Sequence, residues 1–295
     1  MSRLDVRKTY KLYIGGAFPR SESGRTYAVH SASGDFLANA SLGSRKDLRD
    51  AVVAARGAVP KWAGATAYNR GQVLYRAAEV LEGRRAQFVD EVGAAEGLDA
   101  DAAASVVDRS IDRLVWYAGW TDKVAQVLGN LNPVAAPFFN VSAPEPTGVV
   151  GILAPQASSL LGLVSVIAPV IATGNTAVVL TSTDRPLPAV TFAEVLATSD
   201  VPGGVVNLIT ARTVEVAPWL AGHRDVNAID LTGVAGAEGV DWAALEREAA
   251  GNLKRVLRPE VVDGSPVEPD WSISPGLTRL RAFLETKTVW HPKGL

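Results

Sequence analysis

The stretch "VVGILAPQASSLLGLVSVIAPVIATGNTAVVLTSTDRP", Val149 to Pro186, decides the fold. It begins with a short aliphatic run, Val149–Ala154, and passes through a polar turn into the apolar stretch Leu160–Thr173. Gly174-Asn175 then leads to a second short run, Thr176–Thr181. Aliphatic runs of this length, bounded by Gly, Pro and Ser, read as buried strands, and the longer stretch between them reads as a buried helix. The pattern strand, turn, helix, strand opens a nucleotide-binding type of α/β fold, in which chemistry is placed at the turn after the strand. Here that turn holds Gln156, Ala157, Ser158 and Ser159. The Leu160–Ala172 stretch is shorter than a ~20-residue membrane crossing, so a core helix is expected.

Downstream, "GVVNLIT", "VNAIDLT" and "LKRVL" continue the strand series. The helices between strands are expected at Leu160–Thr173, Leu187–Ala197, Val214–Ala221 and Trp242–Ala250. Regular alternation of this kind predicts a doubly wound parallel sheet with right-handed crossovers. The series then stops. "RPEVVDGSPVEPDWSISPG" is rich in proline, has no periodicity and reads as a linker. A short helix, "GLTRLRAFLE", and one strand, "TKTVWHP", follow it.

Upstream, "KLYIGGAF", "RTYAVH" and "DFLANASL" read as β-hairpins. Ser44 is the expected cap of a helix whose buried face is Leu48, Val52, Val53 and Ala55. Two further helices break near Gly83, and a long one starts at Asp99 or Asp101. It carries Trp116 and Trp120 one turn apart, as packing residues. "APFFNVSAPEPTGVVGIL" alternates apolar and polar residues about a proline-containing turn and is expected to be a strand pair. Pro144 and Pro146 set part of it at an edge.

Composition narrows the function. The 295 residues are 47% hydrophobic and 20% charged, which suits a large buried core. The net charge is −2, from 29 basic and 31 acidic residues spread along the chain, and no basic block points to nucleic acid. The opening "MSRLDVRKTYKLYIGG" has no apolar run of the kind a secretion signal needs, so a cytoplasmic protein without a membrane partner is expected. There are 0 cysteines, which excludes disulfides and a thiol nucleophile within this sequence. His30, His223 and His291 are far apart and lack metal-ligand spacing.

These blocks resemble the aldehyde dehydrogenase superfamily. "KLYIGGAF", "EPTGVVGILAP", "IAPVIATGNTAVVL", "VPGGVVNLIT", "LTGVAGAEG", "NLKRVL" and "LETKTVWHP" occur in that family's order. The opening "RKTYKLYIGGAFPRSESGR" resembles the degenerate second module of two-module members. The resemblance implies an attacking cysteine, an asparagine that stabilises the oxyanion, a glutamate base and a dinucleotide site. Aligned without gaps back from Pro169, the asparagine position is Ala157 and the preceding tryptophan is Gln156. One lost oxyanion donor costs about 3–4 kcal/mol. Glu260 lies near the general-base block but reads as a solvated carboxylate. The ribose-binding lysine aligns with Thr181, the neighbouring glutamate with Asp184, and the pyrophosphate-turn serine with Val234. Gly233, Gly236 and Gly239 retain the glycine pattern.

The expected architecture is a Rossmann-like doubly wound α/β domain with N-terminal helices and a projecting oligomerisation arm, the catalytic domain being absent. Residues 1–128 are the N-terminal hairpins and helices, 129–148 the arm, 149–258 the Rossmann-like core, 259–275 the linker and 276–295 the C-terminal helix and arm strand. The expectation that follows is a chain that is not an enzyme on its own. It assembles with a full-length aldehyde dehydrogenase paralogue through Phe138, Phe139, Val141, Val289 and Trp290. No catalytic residue, metal or cofactor is expected. The alternatives are a sensor binding NAD or NADP through vestigial Thr181, Asp184, Gly233 and Gly236, and an oxidoreductase with a nucleophile other than cysteine.

Overall fold

The computed structural model describes residues 7–294. The first six residues of the opening stretch and the last residue of the C-terminal segment lie outside that range. The chain begins with β1 (Thr9–Tyr10), β2 (Thr26–His30) and β3 (Phe36–Ser41), in the sheet order β1-β3-β2. Five helices follow: α1 (Arg45–Ala63), α2 (Ala67–Gly83), α3 (Arg85–Glu96), α4 (Ala100–Trp120) and α5 (Val124–Leu128). Ser44 caps α1, accepting from the Lys46 and Asp47 amides, while Asp47 accepts in return from the Ser44 amide. Such a reciprocal pair satisfies helix-end donors that have no intrahelical partner. Asp99 caps α4 with a single bond, its side chain accepting from the Ala102 amide at 2.8 Å.

The buried face of α1 needs one correction. Leu48, Ala51, Val52 and Ala55 are buried, whereas Val53 is 63% exposed. The 100° step between residues turns it off the stripe. Trp116 and Trp120 stack with centroids 5.4 Å apart and pack against the core.

The chain continues through β4 (Asn130–Asn132) and β5 (Phe138–Pro146) into β6 (Val149–Leu153), α6 (Leu161–Ala172), β7 (Thr176–Leu180), α7 (Leu187–Ala197) and β8 (Val206–Ile209). Then come α8 (Thr213–Gly222), β9 (Ala228–Asp230), α9 (Trp242–Ala249) and β10 (Arg255–Leu257). The five core strands form a parallel sheet in the order β10-β9-β6-β7-β8. Alternate residues feed two cores. Val150, Ile152 and Val179 face α2, α4 and α6, while Val149, Leu153 and Val178 face α1 and α8. Strands covered on both sides carry no polar face, which is why they read as unbroken aliphatic runs. Every residue of α6 is buried, and among the described residues no helix is long and apolar enough to cross a membrane.

Two expectations about extended segments are corrected. "APFFNVSAPEPTGVVGIL" is not a strand pair, because β5 and β6 belong to different sheets. β5 pairs antiparallel with β4 on one side and β13 (Leu284–Pro292) on the other. Alternation of apolar and polar residues locates a strand but not its partner. Pro144 and Pro146 lie beyond the reach of β4, so the missing N–H groups there break no β4 pairing.

The linker is also more ordered than expected. It contains β11 (Glu260–Val262) and β12 (Ser265–Val267), joined through Asp263 at φ 49° and Gly264 at φ 81°. Asp-Gly in the left-handed region makes the tight hairpin turn. Beyond it, Trp271 and the short α10 (Thr278–Ala282) bury Trp271, Leu280 and Phe283 in the main core.

Asn175 ties the core to the C-terminal segment. Its side chain accepts from the Gly148 amide at 2.8 Å and donates to Thr173 Oγ1 at 3.0 Å and to the Phe283 carbonyl at 2.9 Å. It is fully buried, so no water replaces these partners. The Asn175→Ala variant is expected to lose about 3 kcal/mol of stability in urea unfolding, through stranded buried groups.

Candidate functional site

The turn between β6 and α6 is built by polar contacts rather than by a helix cap of its own. Gln156 folds back, donating to the Ala154 carbonyl at 2.8 Å and accepting from the Thr183 amide at 3.1 Å. The Ser182 hydroxyl donates to the Gln156 carbonyl, and the Arg185 guanidinium donates to the Ala157 carbonyl. Ser158 Oγ accepts from the Gly162 amide at 2.9 Å.

Two carboxylates sit on the turn. The Ala157 and Ser158 amides donate to Glu268, at 3.1 and 3.2 Å, and Trp271 Nε1 donates to the same carboxylate at 2.8 Å. The Ser159 amide and hydroxyl both donate to Glu96 Oε1 at 2.6 Å. Free amides preceding a 12-residue helix form a positive end that favours anions. Here the anions are the chain's own. Burial raises the Glu96 carboxyl above its ordinary range, an effect partly offset by the two Ser159 hydrogen bonds.

A second cluster joins the sheet ends to the C-terminal segment. Asp230, fully buried at the end of β9, accepts from Arg279 at 2.7 Å and from the Thr232 amide and hydroxyl at 2.9 and 2.6 Å. Arg279 also donates to Thr232 Oγ1 and lies 4.9 Å from the Trp271 ring centre. Arg113 on α4 donates to Ser165 Oγ at 2.7 Å and to the Trp271 and Ile273 carbonyls at 2.7 and 2.9 Å. Segment 268–279 is therefore clamped across the carboxyl end of the parallel sheet, where open α/β sheets place their ligands.

The residues aligned with a dinucleotide site follow the carboxyl ends of β7 and β9. Thr181 is fully buried, its hydroxyl donating to the Ser182 carbonyl, while Asp184, three residues further along the same β7–α7 loop, is exposed. A Cβ on Gly233 would collide with the backbone of Leu153 and Ala154, so this glycine serves close packing against β6. Gly236 and Gly239, both at φ 74°, turn the chain into α9. Asp241 caps α9, accepting from the Ala243 and Ala244 amides at 2.9 and 3.1 Å, and so fills that positive helix end as well. Val234 is buried and has no polar group to offer. Glu260 is exposed on β11, apart from the β6–α6 turn contacts. Among the described residues no group of three or more His, Cys, Asp or Glu is arranged to hold a metal.

On the arm, Phe139, Val141, Val289 and Trp290 are 50%, 40%, 37% and 55% exposed. Phe138 is only half-exposed, because its ring meets Trp290 edge-on at 5.7 Å. The aligned positions thus divide between the sheet ends and the arm.

The contributions of Glu268, Trp271, Arg279, Glu96 and Arg113 were not anticipated. For Arg113 a signal existed: it lies beside the buried stripe Ala103, Val107, Ser110, Leu114 and Tyr117 of α4. Glu96 follows Val92 by one turn of α3, and for Glu268, Trp271 and Arg279 the sequence offers no periodicity.

The fold and turn define a doubly wound α/β protein with the architecture of the aldehyde dehydrogenases, and the comparisons establish the family. The model of the Aldehyde dehydrogenase family matches residues 18–257, and the chain belongs to that family. It is 33% identical over 243 residues to cytosolic 10-formyltetrahydrofolate dehydrogenase of Mus musculus, covering 79% of this chain and 26% of that protein. It is 30% identical over 262 residues to Aldehyde dehydrogenase, cytosolic 1 of Elephantulus edwardii, covering 87% of this chain and 51% of that protein. An NAD+ complex of aldehyde dehydrogenase from Bacillus cereus superposes with TM-score 0.78 at 26% identity, covering 84% of this chain and 50% of that one. The chain thus spans between about a quarter and a half of the relatives it matches.

One expectation is corrected by these findings. The chain was expected not to be an enzyme on its own. Its relatives are named dehydrogenases and its structural neighbours are aldehyde dehydrogenases, so it stands in an enzyme family. The alanine at 157 and the absent thiol do not establish inactivity.

Two outcomes test the turn. Glu268→Ala removes the carboxylate shared by three donors. Hydrogen exchange across residues 259–276 should then accelerate, with a loss of about 2 kcal/mol. For Glu96, a carboxyl whose folded pKa is raised binds more protons folded than unfolded, so its contribution falls as pH rises through that window. The stability of Glu96→Gln relative to the parent should therefore improve from pH 4.5 towards neutrality in urea titrations. A difference independent of pH contradicts the assignment.

Proposed function

We propose that this chain is an assembly subunit of an NAD(P)-linked aldehyde-oxidising complex, joined through its arm to a full-length member of its own family. One observation carries the reading: the outer edge of β13 pairs with no strand among the described residues, and eight of its nine residues are exposed. Antiparallel register sets Leu131, Val141 and Val289 in one row across β4, β5 and β13. Leu131 is 62% exposed, and Phe139 continues the apolar surface on the same face. An open strand edge beside an apolar face favours pairing with another chain. Addition of a strand by a partner satisfies the backbone donors and acceptors and covers the row together.

Membership in the aldehyde dehydrogenase family supports a partner of the same family. The NAD-bound structural neighbours support a nicotinamide cofactor in the complex, and the cytosolic forms among the relatives support a cytoplasmic setting. A thiolate route to aldehyde oxidation draws its sulfur from outside these 295 residues, which contain 0 cysteines.

Co-expression with a full-length aldehyde dehydrogenase of the same genome, followed by light scattering, is the test. A particle holding both chains is expected. The variant Val141→Glu puts a charge into the apolar row that a partner would cover and should weaken association at least about tenfold, or about 1.4 kcal/mol. A chain that stays monomeric beside every such enzyme contradicts the proposal.

A further inference from the structure

A cavity of about 440 Å³ lies between α4, the end of β10 and the clamped segment. Its outer wall comes from residues 257–279, almost all beyond the family match. We infer that this cavity is a binding site for a small monocarboxylate with a short apolar body. The inference goes beyond the assembly role and does not depend on it.

Charge supplies the first reason. Arg113 is 7% exposed, yet its partners are neutral: the Ser165 hydroxyl and the Trp271 and Ile273 carbonyls. Three hydrogen bonds leave two of the five guanidinium N–H groups open. No carboxylate bridges Arg113, and its charged neighbours Arg279 and Arg109 are also cations. Burial lowers its proton affinity, Tyr117 opposes that effect, and the two arginines add to it. Arg279 is balanced by Asp230. Arg113 therefore lacks the buried counter-ion that Arg279 has, and buried charge is stable only when paired.

An orphan donor supplies the second. Tyr117 lines the same cavity, and its buried hydroxyl makes no hydrogen bond. Burial pushes the phenol up to about 12, so at neutral pH it carries a proton to donate. An anion accepting from Tyr117 and Arg113 satisfies both. One guanidinium without a counter-ion matches a monocarboxylate, and the exposed lining carboxylates Glu260 and Asp270 repel a phosphate dianion more strongly than a monoanion. Leu257, Trp271 and Ile273 line the remainder and suit an aliphatic or aromatic body. The volume lies in the range of small-molecule pockets, roughly 300–1,000 Å³.

The test uses the full chain, with calorimetry and thermal unfolding in hexanoate, phenylacetate, hexanol and inorganic phosphate. Saturable heat and a raised melting temperature are expected with the two carboxylates and not with the alcohol or phosphate. Tyr117→Phe keeps the ring and removes the orphan hydroxyl. It should leave the unliganded protein at least as stable as the parent while weakening carboxylate binding about tenfold. Arg113→Lys, which retains a cation without the guanidinium fork, should also weaken binding. Absence of saturable heat at millimolar carboxylate overturns the inference. So does equal affinity in the parent and Tyr117→Phe, or equal binding of hexanol.

Discussion

Asp230 is fully buried at the end of a central strand, where Arg279 and the Thr232 amide and hydroxyl supply its partners. Breaking a pair of this kind costs about 3–5 kcal/mol, since the abandoned charge has no water to turn to. That requirement draws the C-terminal segment over the end of the parallel sheet. Arg279 then stacks with Trp271, Trp271 donates to Glu268, and Glu268 accepts from the turn before α6. Arg113 fixes the same segment from the helical side through two carbonyls. One buried charge therefore links a strand end, a turn and a segment of little regular structure.

The clamp has a consequence for the ends of the sheet. The amides of the β6–α6 turn are held by Glu268 and Glu96, and the start of α9 by Asp241. Positive helix ends that suit anionic ligands are thus balanced by internal carboxylates. The arm is the opposite case. The β5–β13 ladder is complete over nine residue pairs, yet beyond β13 no strand follows among the described residues. The chain fills these helix ends internally and leaves its arm open.

Much of the fold was legible because burial on both faces writes itself as aliphatic runs. Leu187–Ala197 was read to the residue, and Ser44 and Asp99 announced their helices through capping chemistry. Partnership was harder to read. β5 looked bound to the strand that follows it, but its ladder lies with β13, more than a hundred residues later. The Asp263-Gly264 hairpin carried a readable turn signal that the surrounding prolines obscured. Trp271 and Arg279 gave no warning, since a non-periodic segment ordered by a few polar anchors looks like any linker. Thr181 and Val234 were legible as substitutions, whereas their burial and the role of Gly233 in packing needed coordinates.

The docking of the C-terminal segment can be measured directly because the chain has 0 cysteines, so introduced thiols are unique. Arg109 donates to the Ser272 carbonyl at 3.3 Å across the clamp. With nitroxides at Arg109→Cys and Ser272→Cys, continuous-wave EPR should show strong dipolar broadening in the double-labelled protein and none in either single-labelled one. Spectra of the double-labelled protein equal to the sum of the singles would mean that the segment lies elsewhere, and that the clamp on Asp230 does not exist in solution.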